Sequence, residues 1–302
     1  MTQPAKHTTF LIDGGIGRQF AAIPALEKFE KNNKDDNFII IGEPGMFKGS
    51  SLYNRVFDRN HKGLLELIRH TNIISPEPYL LNKYINQECN ILQAFDIIIN
   101  GVDKVDKSLK LSKIYTSKSE RQVAQDVINK YAKKSNLPIL VFQPLGRSAE
   151  MTDSGPIDTN SRSFEALDII RLLDELSPHF NIIPMAEYDI AGSDNPIIPD
   201  LRVWYDIIKK ADVFLGCDSV GQHFAESLGT KGLVVLGSTF PENVSYVNSK
   251  TLKIFDKGKS KGRVYSPFRL LNPEIQDMQN QQCMELDQDD IDYIVEQMKG
   301  LV

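Results

Sequence analysis

Val213-Phe-Leu-Gly-Cys-Asp218-Ser219-Val220-Gly221-Gln222-His223-Phe-Ala-Glu-Ser-Leu-Gly229-Thr-Lys-Gly232-Leu-Val-Val-Leu-Gly237 reads as an apolar strand, a polar turn opening at Asp218, an amphipathic helix closed by Gly229 and a second apolar strand. This is a βαβ unit, so the turn lies at the carboxyl edge of a parallel sheet. A helix opened there points unpaired backbone N–H groups at whatever occupies that edge, which makes the turn an anion site. Asp218 and Ser219 equally suit a plain helix N-cap, and His223 suits bracing the turn better than direct chemistry.

The alternation extends in both directions. At the amino end, Thr8-Thr-Phe-Leu-Ile12 predicts a strand, Asp13-Gly14-Gly15-Ile16-Gly17-Arg18 a glycine-rich turn, and Phe20, Ile23, Leu26 and Phe29 a helix. The glycines permit positive φ and close approach of another molecule, and Pro24 predicts a kink or a helix start later than Gly17. Phe38–Ile41 reads as a strand, 62–70 and 79–88 as helices, Phe95–Ile99 as a strand and 119–134 as a helix. Ser135-Asn-Leu-Pro138 breaks the pattern, which puts a domain boundary between 1–136 and 137–302. Beyond it come a strand at Ile139–Phe142, a loop over 143–160, a helix over 162–176, a strand at 180–183, a helix over 201–210, the βαβ unit, a strand at 251–255 and a helix over 287–299. The predicted fold class is α/β, two Rossmann-like domains facing a cleft, with the glycine turn on one side and the anion turn on the other.

Composition narrows the function classes. Over 302 residues, 41% are hydrophobic and 25% charged, as in ordinary globular proteins. A net charge of −5 gives no general pull toward nucleic acid or anionic membranes. Cys89, Cys217 and Cys283 have no metal-ligand spacing and form no disulfide framework. No signal sequence or bilayer-length apolar run is present, so a cytoplasmic protein without an integral membrane segment is expected.

The residues Asp218-Ser219-Val220, Gly221-Gln222, His223, Ala225, Gly229 and Val234–Gly237 resemble the heptosyltransferase-like glycosyltransferases, glycosyltransferase family 9, which includes the ADP-heptose:lipopolysaccharide heptosyltransferases of the GT-B fold. Gln143-Pro-Leu-Gly-Arg147 followed by Arg162-Ser-Phe164 looks like the loops with which that family holds its donor diphosphate. Glu187 stands where the family places an acidic residue on the donor ribose. Two departures stand out: Val220 replaces the usual glycine, with Gly221 one place later, and Arg18 falls where the family's catalytic aspartate is expected.

The resemblance implies an enzyme that moves a sugar from a nucleotide sugar to an acceptor hydroxyl, inverting and metal-independent, with the nucleotide sugar as co-substrate and no other cofactor. Arg147, Arg162, Glu187, Asp218, Ser219, Val220, Gly221 and His223 are the expected donor-binding residues. Gly14, Gly15, Gly17 and Arg18 form the expected acceptor loop, and Asp13 is the candidate general base, with Glu150 and Asp153 as rivals. No Asp-x-Asp pair stands at a strand end, so positive side chains and helix N–H groups are expected to neutralise the leaving diphosphate. The implied acceptor is a lipopolysaccharide core sugar. The basic cluster Lys257, Lys259, Lys261 and Arg263, most simply a solvated loop, keeps open a viral-type DNA glycosyltransferase acting on a hydroxymethylated base in a host cytoplasm. Arg18 in the aspartate's place keeps open a non-catalytic nucleotide-sugar-binding protein or an epimerase.

Overall fold

The computed structural model describes residues 7–34, 36–133, 136–152, 155–158, 161–187, 190, 196, 198, 200–264 and 282–302. The chain divides into two compact units, Met1–Tyr115 and Thr116–Val302.

In the first unit, β1 (His7–Leu11), α1 (Ile16–Asn32), β2 (Asn37–Ile41), α2 (Pro44–Phe47), β3 (Val56–Phe57), α3 (Leu64–Ile68), β4 (Asn72–Ile74), α4 (Asn82–Ile85) and α5 (Ile91–Asn100) follow in order. The sheet order is β3-β2-β1-β4, parallel throughout. The chain steps from β1 outward through β2 to β3 and then crosses back to β4 on the other side of β1, so the turn after β1 lies at a topological switch point, where parallel sheets place ligands. Phe10, Phe29 and Phe38 pack edge to face, with Phe10 and Phe38 fully buried.

Several local expectations change. Helix α1 begins at Ile16, before Gly17, and runs through Pro24. The apolar run at Phe95–Ile99 is not a strand but the centre of α5. Asn90 and Gln93 form a reciprocal capping box at its start, and Gly101, at φ 61°, closes it. Most of this helix is buried, which erases the polar stripe that would separate a helix from a strand. The helices expected over 62–70 and 79–88 shrink to α3 and to a 3-10 turn at Pro78–Leu80 followed by α4.

The second unit comprises α6 (Lys118–Tyr131), β5 (Ile139–Gln143), β6 (Glu150–Thr152), β7 (Gly155–Ile157), α7 (Ala166–Leu176), β8 (Asn181–Pro184), α8 (Leu201–Lys210), β9 (Val213–Gly216), α9 (Val220–Leu228), β10 (Lys231–Leu236), α10 (Pro241–Val244), β11 (Leu252–Asp256), α11 (Lys257–Ser260) and α12 (Gln288–Lys299). The parallel sheet runs β11-β10-β9-β5-β8, and β6 and β7 form an antiparallel hairpin inside the expected 143–160 loop. The chain steps from β5 outward to β8 and then back across to β9, so the switch point lies between β5 and β9.

Helix α6 belongs to this second unit, so the division falls before it rather than after it, at 136. Arg202 of α8 donates to Glu120 of α6 at 2.8 Å, and both side chains are largely buried. The sequence break expected to separate the domains therefore lies within the second unit. Its loop-like composition resembles a linker's, which is why the sequence places the boundary there.

The basic cluster is only partly solvated: Lys259 and Lys261 are exposed, whereas the other two are not. Lys257 is buried and paired with Asp290 of α12, and Arg263 is buried against Asp256 at 2.7 Å with Phe240 beneath its guanidinium. Two of the four cations are thus spent on buried pairs, and Lys261 lies 3.8 Å from Glu285. No helix among the described residues is long and apolar enough to cross a membrane.

Candidate functional site

The carboxyl ends of β5 and β9 are hydrogen-bonded neighbours, Gln143 opposite Gly216. Gln143 stands at the end of its strand, buried, and its amide reaches across to the turn after β9. Its Nε2 donates to Ser219 Oγ at 3.1 Å, and its Oε1 accepts the Gly221 N–H at 2.8 Å. Ser219 is the N-cap residue of α9, yet its side chain caps nothing, because Gln143 does that work. Gly221 is demanded by the same contact: a Cβ there would collide with Gln143 Oε1 and come within 2.8 Å of the Phe214 ring. A side chain at 221 is thus excluded sterically.

Asp218 is turned back onto its own helix, where Oδ1 accepts from Gln222 Nε2 at 2.9 Å. Val220 is the first residue of α9 and is half-buried. His223, one turn into the helix, is buried and shares a 2.6 Å hydrogen bond through Nδ1 with Tyr246 Oη. It therefore braces α9 against the segment after α10. Burial lowers its pKa to about 4, so the ring is neutral at pH 7. Burial drives the Cys217 thiol upward, which leaves that neighbour inert.

The state of His223 has a measurable consequence. The unfolded chain takes up a proton near the ordinary value of 6.5, whereas the folded ring resists until about 4. Stability is therefore lost as pH falls from 6.5 to 4, by about 3 kcal/mol for a shift of this size. Urea unfolding of His223→Asn should show a shallower loss across that window than the parent chain.

The loop after β5 folds against this turn. Gly146 donates its N–H to Ser163 Oγ at 2.9 Å, and a Cβ on Gly146 would lie 3.6 Å from the Asp218 carbonyl oxygen. Asp158 gathers the neighbouring donors: its carboxylate accepts from the Ser163 N–H at 3.1 Å, from Ser163 Oγ at 2.5 Å and from Ser148 Oγ at 3.1 Å. Arg162, half-buried, donates to Ser148 Oγ at 2.7 Å, and Arg147 is exposed. Glu187 is exposed just past β8, the strand beside β5. The turn at 218–223 and the two arginine-bearing loops thus share one sheet edge.

Gln143, Ser148, Asp158 and Ser163, which hold that edge together, are absent from the residues that sequence reasoning selects for the site. Their signal lies beside residues that it does select: Gln143 opens the Gln-Pro-Leu-Gly-Arg loop, and Ser163 follows Arg162.

In the first unit, Gly14 adopts φ 92°, and a Cβ there would also meet the Arg18 side chain at 2.8 Å. Gly15 is the N-cap of α1 with open space around its α-carbon, and Gly17 lies in the first turn. Asp13 is exposed, accepts from the Gly14 N–H and is ion-paired with Arg59. The hydrogen bond from Arg59 and then that from Gly14 lower its pKa, so it is a carboxylate at pH 7. Gln19, buried, ties two loops: Nε2 donates to Gly14 O at 3.1 Å and Oε1 accepts the Glu43 N–H at 2.7 Å.

Arg18, expected in the acceptor loop, makes contacts within its own unit. Its guanidinium donates to Glu77 at 3.0 Å and to Pro76 O at 3.2 Å, and it lies near the rings of Tyr79 and Phe95. The cation is committed within its own unit, where the carboxylate and the aromatic faces offset its desolvation. Of the two rivals for the base, Glu150 is exposed on β6 and Asp153 lies outside the described residues. No cluster of three or more His, Cys, Asp or Glu able to hold a metal ion occurs among the described residues.

Two parallel sheets of this order, each with a switch-point loop, make the fold that of the GT-B type of glycosyltransferase. The structure is similar to the glycosyl transferase family 9 protein of Veillonella parvula DSM 2008, with a TM-score of 0.68 and 11% identity over 100% of this chain and 99% of that one. It is also similar to E. coli ADP-heptose lps heptosyltransferase II, with TM-score 0.54 and 9% identity over 97% and 99% of the two chains. E. coli heptosyltransferase WaaC with ADP gives TM-score 0.52 and 11% identity over 98% and 100%. At these identities the likeness is one of fold. No protein-family model and no curated protein sequence matches the chain.

Proposed function

We propose that the protein is a glycosyltransferase that transfers a sugar from a nucleoside diphosphate sugar to an acceptor hydroxyl, with inversion and without an essential metal. The observation that carries this reading is the β5/β9 edge, where the α9 N-terminus and its Ser219 hydroxyl stand beside loops bearing Arg147 and Arg162. N–H groups, a positive helix end and guanidinium groups together neutralise the charge that develops on a departing diphosphate. The WaaC structure of the same fold is one with ADP, which supports a nucleotide donor. Glu187 is assigned to the donor ribose.

The acceptor is assigned to the first unit, at the Gly14–Gly15 turn, with the ionised Asp13 as the base that takes the proton of the attacking hydroxyl. A sugar acceptor of the lipopolysaccharide core type, met in the cytoplasm, is favoured over DNA, because Lys257 and Arg263 are already spent on internal pairs. The pairing of Asp13 with Arg59 favours one second reading, a nucleotide-sugar-binding protein in which this carboxylate does no chemistry.

Incubation with a panel of nucleotide sugars, together with sugar acceptors and hydroxymethylated DNA, should release nucleoside diphosphate with a sugar acceptor. Asp13→Asn should keep donor binding and lower turnover by about a hundredfold or more, as loss of a general base does. Donor binding without release for any pair would replace transfer by the binding-only reading, and unchanged turnover in Asp13→Asn would remove it as the base.

A further inference from the structure

The proton inventory at the β5/β9 edge is fixed by one bond. A backbone N–H has only a proton to give, so the Gln143 atom facing Gly221 at 2.8 Å must be its amide oxygen. The NH₂ group therefore faces Ser219 Oγ at 3.1 Å, and the hydroxyl receives a hydrogen bond instead of making one there. Ser219 makes no cap bond to its own helix, and among the described residues no acceptor takes its hydroxyl proton. The residue is half-buried, so a ligand can reach it. The same amide satisfies the Gly221 N–H and Gln222 is fully buried, so among the described residues the first-turn N–H group left open to a ligand is that of the half-buried Val220.

With the donor diphosphate at this turn, as proposed above, we propose that Gln143 is a positioning residue: it holds Ser219 Oγ as an acceptor on one side so that the hydroxyl proton is donated to a diphosphate oxygen on the other. Gln143 does not touch the nucleotide. It selects which of the turn's donors do.

Gln143→Glu tests this, because the carboxylate still accepts the Gly221 N–H and keeps the helix cap but cannot donate to Ser219. The hydroxyl proton then turns toward the new carboxylate and away from the ligand. Calorimetric titration with ADP, and with UDP, GDP and CDP in parallel, should show the nucleotide that the parent chain binds held about tenfold more weakly, the usual effect of losing one charge-assisted hydrogen bond. The new negative charge also repels a diphosphate directly, so the titration is repeated in a Ser219→Ala background, where that repulsion persists but the hydroxyl is absent. The loss caused by Gln143→Glu should shrink there by about the same tenfold. Gln143→Met, neutral and of similar length, should show the same non-additivity with Ser219→Ala, and serves if the glutamate variant does not fold. Equal losses in both backgrounds would overturn the role of Gln143 while leaving the donor site in place. Failure of the parent chain to bind any of the four nucleotides would remove the donor site and this role together.

Discussion

Gly221→Ala is expected to disable the α9 turn. The added methyl has no room, because Gln143 Oε1 and the Phe214 ring already occupy its position. If Gln143 yields, the helix loses its cap and Ser219 loses its partner. If the helix yields, α9 tilts away from a sheet whose neighbouring residues Phe214 and Leu215 are fully buried. Overpacking of this kind costs about 1–3 kcal/mol of stability. The expected effect on nucleoside diphosphate binding is larger, about a hundredfold, since both routes disturb the anion donors at once. Gly15→Ala is the control. Gly15 has an ordinary φ of −68° and no atoms within 4 Å of where a Cβ would stand, so its alanine variant should fold and bind nucleotide as the parent does. Thermal unfolding and calorimetry on the two variants would separate these cases, and equal behaviour would refute the steric account.

Glu120→Ala is expected to give the largest loss of stability. It removes a carboxylate held 2.8 Å from the Arg202 guanidinium, whose side chain is only 5% exposed. Breaking one partner of a buried pair costs about 3–5 kcal/mol, because the remaining charge stays desolvated. Replacing both partners, Glu120→Leu with Arg202→Met, should recover much of the loss. The pair also sets an acid limit. Arg202 first, and then the bonds to Ser117, lower the Glu120 pKa to about 2, against 4.5 in a free chain. Its contribution is therefore complete above 4.5 and fades as pH falls toward 2. A loss below about 1 kcal/mol in urea unfolding of Glu120→Ala would mean that the pair does not hold α6 on α8.

Much of this fold is legible in the sequence wherever several local signals agree. The stretch around β9, α9 and β10 combines β-branched runs, an N-terminal polar turn and a glycine at the helix end, where Gly229 takes φ 73°. Helices α8 and α12 are legible from their amphipathic spacing and their charged ends. Strands β3 and β4, two and three residues long, are too short to display a period. The 95–99 run misleads because near-complete burial removes the contrast on which periodicity depends.

The candidate site follows the same division. Ser219, Gly221 and the arginine loops can be placed because their local motif is contiguous. Gln143 and Asp158 cannot, because their partners arrive from distant parts of the chain or look like ordinary loop polarity. The internal contacts of Arg18 are hidden for a related reason: Glu77, Tyr79 and Phe95, which surround its cation, lie far from it in sequence. Sequence spacing shows which residues can reach a sheet edge, but not which of them are already engaged.

Each unit clamps its switch-point loops with a buried glutamine, Gln19 in one and Gln143 in the other. An amide offers a donor and an acceptor together while carrying no charge and no titrating proton. The clamps are therefore blind to acidity: acid can weaken the scaffold through His223 and Glu120, yet the two glutamine contacts themselves should persist for as long as the chain stays folded.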